Sequence, residues 1–158
     1  MSKHCLYLFA IIFLLVGCSS HNGETNTGSA DPRTEGAFTL YRLDGDRYPG
    51  DPVPDGAVLL HGWPILQTCS ITAVTTREDL FNALDDGIAN RGSVPIDCFN
   101  PRHGIRVTNK GVNVDYLICF QCQNYEIWND NKKTGGGMTS SSPKSTFNHV
   151  LDDCQQAE

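Results

Sequence analysis

The run from Val112 to Trp128 places the tightest limit on the fold. It is the longest stretch in the chain that is rich in β-branched, aromatic and apolar residues and free of glycine and proline. Alternate side chains of a β-strand point to the same face of the sheet, and the even positions here form one apolar face: Val112, Val114, Tyr116, Ile118, Phe120 and Cys122. The odd positions mix polar residues such as Asp115 with apolar ones. We therefore predict a central strand with one fully buried face.

Two other segments have the spacing of amphipathic helices. A capping-box start at Thr75–Glu78 precedes apolar residues at helical intervals, which are Leu80, Phe81, Leu84 and Ile88. This pattern predicts a helix over 77–90 that ends before Gly92. Ser142 and Pro143 have the residue types of a helix cap and first turn. They predict a C-terminal helix with an inward stripe of Phe147, Val150, Leu151 and Cys154.

The remaining chain alternates between strand patterns and turns. Strands are predicted at 38–43, at 57–74 with a break near Gly62 and Pro64, and at 94–99, 104–108 and 138–140. Loops are predicted at 44–56 and 129–137, where Asp, Gly, Pro and other polar residues concentrate. These elements predict an α+β fold, namely an antiparallel meander of about five to six strands with two helices packed on one face.

The hydrophobic pattern also predicts the register of the hairpin between the strand at 104–108 and the run from Val112 to Trp128. Pairing Ile105 with Tyr116 and Val107 with Val114 places apolar residues opposite one another. A slip of one residue would place Asp115 opposite an apolar side chain, so the first register is preferred. Continued backwards, this register brings Cys98 close to Cys122.

The N-terminus predicts export and lipid attachment. Leu6–Val16 is uninterrupted apolar sequence, too short for a bilayer core of about 30 Å but suited to a secretory signal. The following Leu15-Val16-Gly17-Cys18 resembles the lipobox of bacterial lipoproteins. That resemblance implies cleavage before Cys18 and acylation (palmitate) of this residue, and Ser19, rather than Asp, implies the outer membrane. The predicted organisation is a signal peptide at 1–17, a flexible stalk at 18–36 and one domain at 37–158.

Five of the seven cysteines lie beyond the signal and Cys18. An oxidising periplasm favours disulfides, for which we expect Cys98–Cys122 and Cys69–Cys154, although four cysteines allow three connectivities. On one strand, Cys119 and Cys122 would point to opposite faces about 10 Å apart, which argues against redox chemistry by this pair. The alternative is a tetrahedral metal site formed by Cys98, His103, Cys119 and Cys122.

The turn at Arg102 and His103 is the candidate functional turn, because it places a cation and an imidazole near Cys98. Arg102-His103-Gly104 resembles the phosphate-binding start of histidine phosphatases, which would make His103 the phosphorylated residue. The string Cys98-Phe-Asn-Pro-Arg-His-Gly104, with the later Ile118-Cys-Phe-Gln-Cys122, also resembles a group of uncharacterised bacterial proteins. That second resemblance supports the domain boundary and implies no activity.

The net charge of −6 argues against nucleic acid as a partner. We predict a lipid-anchored, periplasm-facing domain with a binding or structural role, without catalysis or cofactor. Its expected partners are the membrane, through the anchor, and an unknown protein or small molecule. The alternative is a metal-binding or thiol-redox domain using Cys98, His103, Cys119 and Cys122. A third hypothesis is a hydrolase that uses His103.

Overall fold

The computed structural model describes residues 31–47, 51–94 and 96–155, which form an α+β fold. The predicted signal peptide, the lipobox at Cys18 and residues 19–30 of the predicted stalk lie outside the described residues. After a short 3₁₀ turn at Pro32–Thr34, the elements are β1 (Ala37–Leu43), β2 (Leu59–Leu60), β3 (Trp63–Ser70), α1 (Val74–Ala89), β4 (His103–Asn109), β5 (Val112–Cys119), β6 (Asn124–Asn129), β7 (Lys132–Met138) and α2 (Lys144–Gln155). No helix in these ranges is long and apolar enough to cross a membrane.

The strands form one curled antiparallel sheet in the order β2-β3-β1-β4-β5-β6-β7. The sheet has seven strands, more than the five to six predicted. Only β4 to β7 form a meander, because β1 lies between β3 and β4 and pairs with both. The predicted register of β4 and β5 is confirmed, since Ile105 pairs with Tyr116 and Val107 with Val114.

The prediction of one strand from Val112 to Trp128 is wrong. β5 ends at Cys119, and a turn at residues 120–123 leads into β6, which pairs back onto β5. The turn needs a left-handed backbone conformation at Gln123, with φ of 54°. Glycine or asparagine usually marks such a position, so this turn leaves no ordinary signal in the sequence.

Two further strand predictions are wrong. The described residues of 94–99 lie in no strand, and residues 91–94 and 96–102 form no helix or strand. The last strand occupies Lys132–Met138 rather than 138–140, although residues up to 137 were predicted to be a turn. Pairing with β6 explains the difference, because six of the seven β7 residues have a partner on β6 and Thr134 lies at a register shift. This pairing overrides the low intrinsic strand propensity of glycine.

Both helices pack on the same face of the sheet, which we call the helix face. Its core contains three residues of the predicted even-numbered face, Tyr116, Ile118 and Phe120, together with apolar residues of other strands and of both helices: Phe38, Leu40, Leu80, Phe81, Leu84, Ile105, Phe147 and Leu151. Val112, which was predicted on the same buried face, is 44% exposed. Phe81 meets Phe38 and Tyr116 edge to face, at centroid distances of 5.8 and 5.2 Å. The predicted capping box is not formed, because α1 begins at Val74 behind Ala73, whose side chain makes no cap bond.

Part of the segment assigned to the stalk contacts the first helix. The 3₁₀ turn at Pro32–Thr34 packs against α1. Arg33 lies 4.5 Å from the centroid of the Phe81 ring and contacts the Asp31 and Asp85 carboxylates, at 2.6 Å each. Thr34 is buried. Apolar periodicity in the sequence does not predict this packing, because the segment is held by the ion pairs of Arg33 with Asp31 and Asp85.

Candidate functional site

The predicted functional turn is divided between the interior and the surface. His103 is the first residue of β4 and is 3% exposed. Its ring contacts Phe120 and Phe147, and Nε2 lies 2.9 Å from Asn148 Oδ1. Arg102 is half-buried and points elsewhere, donating a 2.7 Å hydrogen bond to Gln121 and pairing with Asp46. The two residues therefore do not form one site.

Burial determines the chemistry of His103. Desolvation lowers its pKa to about 4, against which the hydrogen bond to Asn148 raises it only partly. Its Nδ1 atom is buried without a hydrogen-bond partner in the described structure. A neutral imidazole enclosed by two phenylalanine rings gives no support to a hydrolase that uses this residue.

A polar cluster lies on the opposite side of the sheet, which we call the open face. The Asp115 carboxylate is fully buried and accepts hydrogen bonds from Arg106 Nε and Nη2, both at 2.7 Å. His61 Nε2 lies 2.7 Å from the same carboxylate. The His61 ring also stacks on Trp128 at a centroid distance of 4.3 Å. We call these four residues the Asp115 cluster.

The backbone of the β2–β3 hairpin places His61 in this cluster. Leu60 pairs with Trp63, so His61 and Gly62 form a two-residue loop. Their φ values are 48° and 89°, as required by the primed turns that connect tight hairpins. Glycine adopts this conformation readily, whereas histidine does so at a cost that the Asp115 contact offsets.

The Asp115 cluster resembles the acid–histidine part of a catalytic triad in its contacts alone. In such triads the carboxylate orients an imidazole whose second nitrogen faces a nucleophile and substrate. Here the His61 side chain is only 7% exposed, and Arg106 occupies the same carboxylate. The arrangement instead fixes the hairpin tip to the sheet. Arg106 stands directly opposite Asp115 in the predicted register, so half of the cluster could have been recognised from the sequence.

A groove lies beside this cluster along the outer edge of the sheet, with a volume of about 550 Å³. We call it the β6–β7 groove; it is lined by Phe99, Asn124, Tyr125, Glu126, Lys133, Gly135, Gly136, Gly137 and Met138. Glu126 accepts from Lys133 Nζ at 2.6 Å and from Trp128 Nε1 at 3.1 Å. The three glycines leave the backbone of the edge strand without covering side chains. The groove thus offers aromatic, charged and bare backbone surface together.

The cysteines form two disulfides, Cys69–Cys154 and Cys98–Cys122, which are the two pairs expected. Cys119 is a buried free thiol. The expectation that Cys119 and Cys122 lie far apart on one strand is wrong, because the Cys122 N–H donates a 3.1 Å hydrogen bond to Cys119 Sγ. The turn at 120–123 brings them together.

The four residues of the metal alternative are not available as ligands together. Cys98 and Cys122 are bonded to each other, and His103 faces Asn148. Within residues 31–47, 51–94 and 96–155, no three His, Cys, Asp or Glu side chains are grouped as metal ligands.

Comparison of the chain with protein-family models, with curated proteins and with solved structures finds no match. The function is therefore inferred from the chemistry of the sites described above.

Proposed function

We propose that this chain is a lipid-anchored domain that faces the periplasm, with the outer membrane as its location, and that it works by binding a partner rather than by catalysis. The lipobox at Leu15–Cys18 supports the anchor.

The observation that best supports a periplasmic location is the pair of disulfides in the folded domain. Disulfides persist in oxidising compartments such as the periplasm and are rare in the cytosol. One bridge ties β3 to α2, and the other joins the residues before β4 to the β5–β6 turn. A domain that depends on both bridges is suited to an exported protein.

The polar residues favour binding over catalysis. Asp115 is saturated by Arg106 and His61, and His103 is enclosed and neutral. The β6–β7 groove, by contrast, opens to solvent beside an edge strand. Edge strands accept an added strand through backbone hydrogen bonds, with neighbouring pockets providing selectivity. We therefore propose an extended polypeptide segment as the occupant of the groove.

The anchor is tested by metabolic labelling with a palmitate analogue and by membrane fractionation. The full chain should incorporate the label and sediment with outer-membrane vesicles. Cys18→Ser should lose both properties, whereas Cys5→Ser, in the predicted cleaved segment, should retain both. An unlabelled, soluble mature protein with an unmodified Cys18 would refute the anchor.

The binding proposal is tested by a photocrosslinking amino acid at Met138, inside the groove, and at Asn82, which is exposed on α1. A protease-sensitive adduct from Met138 and none from Asn82 is expected in cells that make the protein. Adducts at both positions in equal yield, or at neither, would contradict a groove-bound polypeptide.

A further inference from the structure

Three cysteines of the chain lie close together at the β5–β6 turn. Cys98 and Cys122 form a disulfide, and Cys119 is a reduced thiol three positions before Cys122. The 3.1 Å hydrogen bond from the Cys122 N–H ends on the Cys119 sulfur. Only three bonds separate that nitrogen from Cys122 Sγ, so side-chain rotation can bring the thiol onto the disulfide.

We propose that Cys119 and the Cys98–Cys122 disulfide are an internal thiol–disulfide exchange unit whose exposed product is a Cys98 thiol. This inference is independent of the lipid anchor and of the groove. It concerns only sulfur atoms that the fold holds together.

The exchange is balanced within the chain. The Cys119 thiolate attacks Cys122 Sγ and forms the Cys119–Cys122 bond, while the Cys98–Cys122 bond breaks. Cys98 leaves as a thiolate and takes up the proton that Cys119 released. No electron enters or leaves the protein, and one disulfide and one thiol exist before and after the step.

The exchange replaces a buried thiol by an exposed one. Cys119 and Cys122 are 1% and 2% exposed, so neither encounters an external reagent readily. Cys98 is exposed, and it lies between α1 and β4, outside the sheet. The exchange therefore transfers reactivity from a buried thiol to a surface thiol, where a small-molecule disulfide can form a mixed disulfide with it.

The folded structure contains the starting pair, with Cys98 bonded to Cys122 and Cys119 reduced. The exchanged form should therefore be a minor population that accumulates only when Cys98 is trapped.

The test is alkylation of the folded full chain with iodoacetamide in the absence of reductant, followed by acid quenching, trypsin digestion and mass spectrometry. Cleavage after Arg91, Arg102, Lys110 and Lys132 separates Cys98, in peptide 92–102, from Cys119 and Cys122, in peptide 111–132. Exchange produces a labelled peptide 92–102 and a peptide 111–132 with an internal disulfide. These two peptides should accumulate over hours, the timescale of uncatalysed disulfide rearrangement, at a rate independent of protein concentration.

Cys119→Ser is the matched control, because its hydroxyl can still accept the Cys122 N–H. It should abolish labelling of Cys98 and leave 92–102 joined to 111–132. The Cys69–Cys154 bridge provides an internal control and should remain unlabelled. The proposal is overturned if wild-type label appears only on Cys119 with the Cys98–Cys122 bridge intact, if no label appears on Cys98, or if its rate rises with protein concentration. These wild-type readouts remain decisive even where the serine variant does not fold.

Discussion

His61 Nε2 lies 2.7 Å from a carboxylate oxygen of Asp115, although the two residues are 54 positions apart and no strand pairing connects them directly. The contact spans the open face of the sheet, from the tip of the β2–β3 hairpin to β5. It is possible because the sheet curls and because the His61–Gly62 turn has positive φ at both positions. Arg106 bonds both oxygens of this buried carboxylate and His61 adds a contact to Oδ2, which offsets the cost of removing the group from water.

Asp115→Asn should destabilise the domain, because Arg106 and His61 would lose an ionic acceptor. Breaking one partner of a buried pair costs about 3–5 kcal/mol, and the Arg106 side chain is 34% exposed, so we expect about 2–4 kcal/mol. Urea unfolding monitored by tryptophan fluorescence measures the loss. Asp86→Asn, at an exposed position of α1, is the control and should change stability by less than about 0.5 kcal/mol. Equal effects of the two substitutions would refute a structural role for the cluster.

The burial of His103 should make stability depend on pH. Its pKa is lowered from 6.5 to about 4 in the folded state, so the unfolded chain takes up a proton first as the pH falls. The contribution of His103 to the free energy of unfolding is therefore fully present above pH 6.5, declines between pH 6.5 and 4, and is lost below that range. The total loss is about 3 kcal/mol.

His103→Gln provides the comparison, because glutamine can still hydrogen-bond Asn148 and does not titrate in this range. As the pH falls from 7 to 4, the unfolding free energy of the wild type should decrease relative to that of the variant. Parallel pH profiles would show that the imidazole does not titrate as its enclosure requires.

The two disulfides should differ in their contribution to stability. The Cys69–Cys154 bridge spans 85 residues and the Cys98–Cys122 bridge spans 24. In the chain-entropy description, the longer loop contributes about 1 kcal/mol more. Urea unfolding of Cys69→Ala/Cys154→Ala and of Cys98→Ala/Cys122→Ala, both in a Cys119→Ser background, measures the difference. A larger loss from the shorter loop would mean that local packing, rather than chain entropy, dominates.

Gly104 should be intolerant of a side chain because Leu60 occupies the space above it. A Cβ at Gly104 would lie 2.8 Å from Leu60 Cδ2 and 3.4 Å from Leu43 Cδ1. Gly104→Ala should therefore cost about 1–3 kcal/mol, measured by thermal or urea unfolding.

Gly135→Ala is the matched control, since its Cβ would meet nothing closer than Ile127 at 3.6 Å. The double variant Gly104→Ala/Leu60→Ala should lose less stability than the two single changes add up to, because removing Leu60 relieves the contact. Strict additivity would exclude a clash between these two residues.

Particular residues show how far pattern reasoning extends. The helix over α1 was expected at 77–90 and is found at Val74–Ala89. The inward stripe of α2 was also correct, because Phe147 and Leu151 are fully buried. Asp115, by contrast, is a charged residue type that the pattern does not place in the core, and it is among the most buried residues. Polarity predicts exposure only where no partner is available, and Arg106 and His61 provide the partners here.

The sequence by itself determined the features that depend on local periodicity and on neighbouring residues: two amphipathic helices, the apolar face of β5 and the register of β4 with β5. These follow because a slip of one residue or a wrong period would expose every apolar side chain of an element at once. The tertiary structure alone decided where β1 enters the sheet, where the long β-run turns and that Cys119 Sγ accepts the Cys122 N–H. Those outcomes depend on contacts between distant residues, whose free energies no local pattern of residues contains.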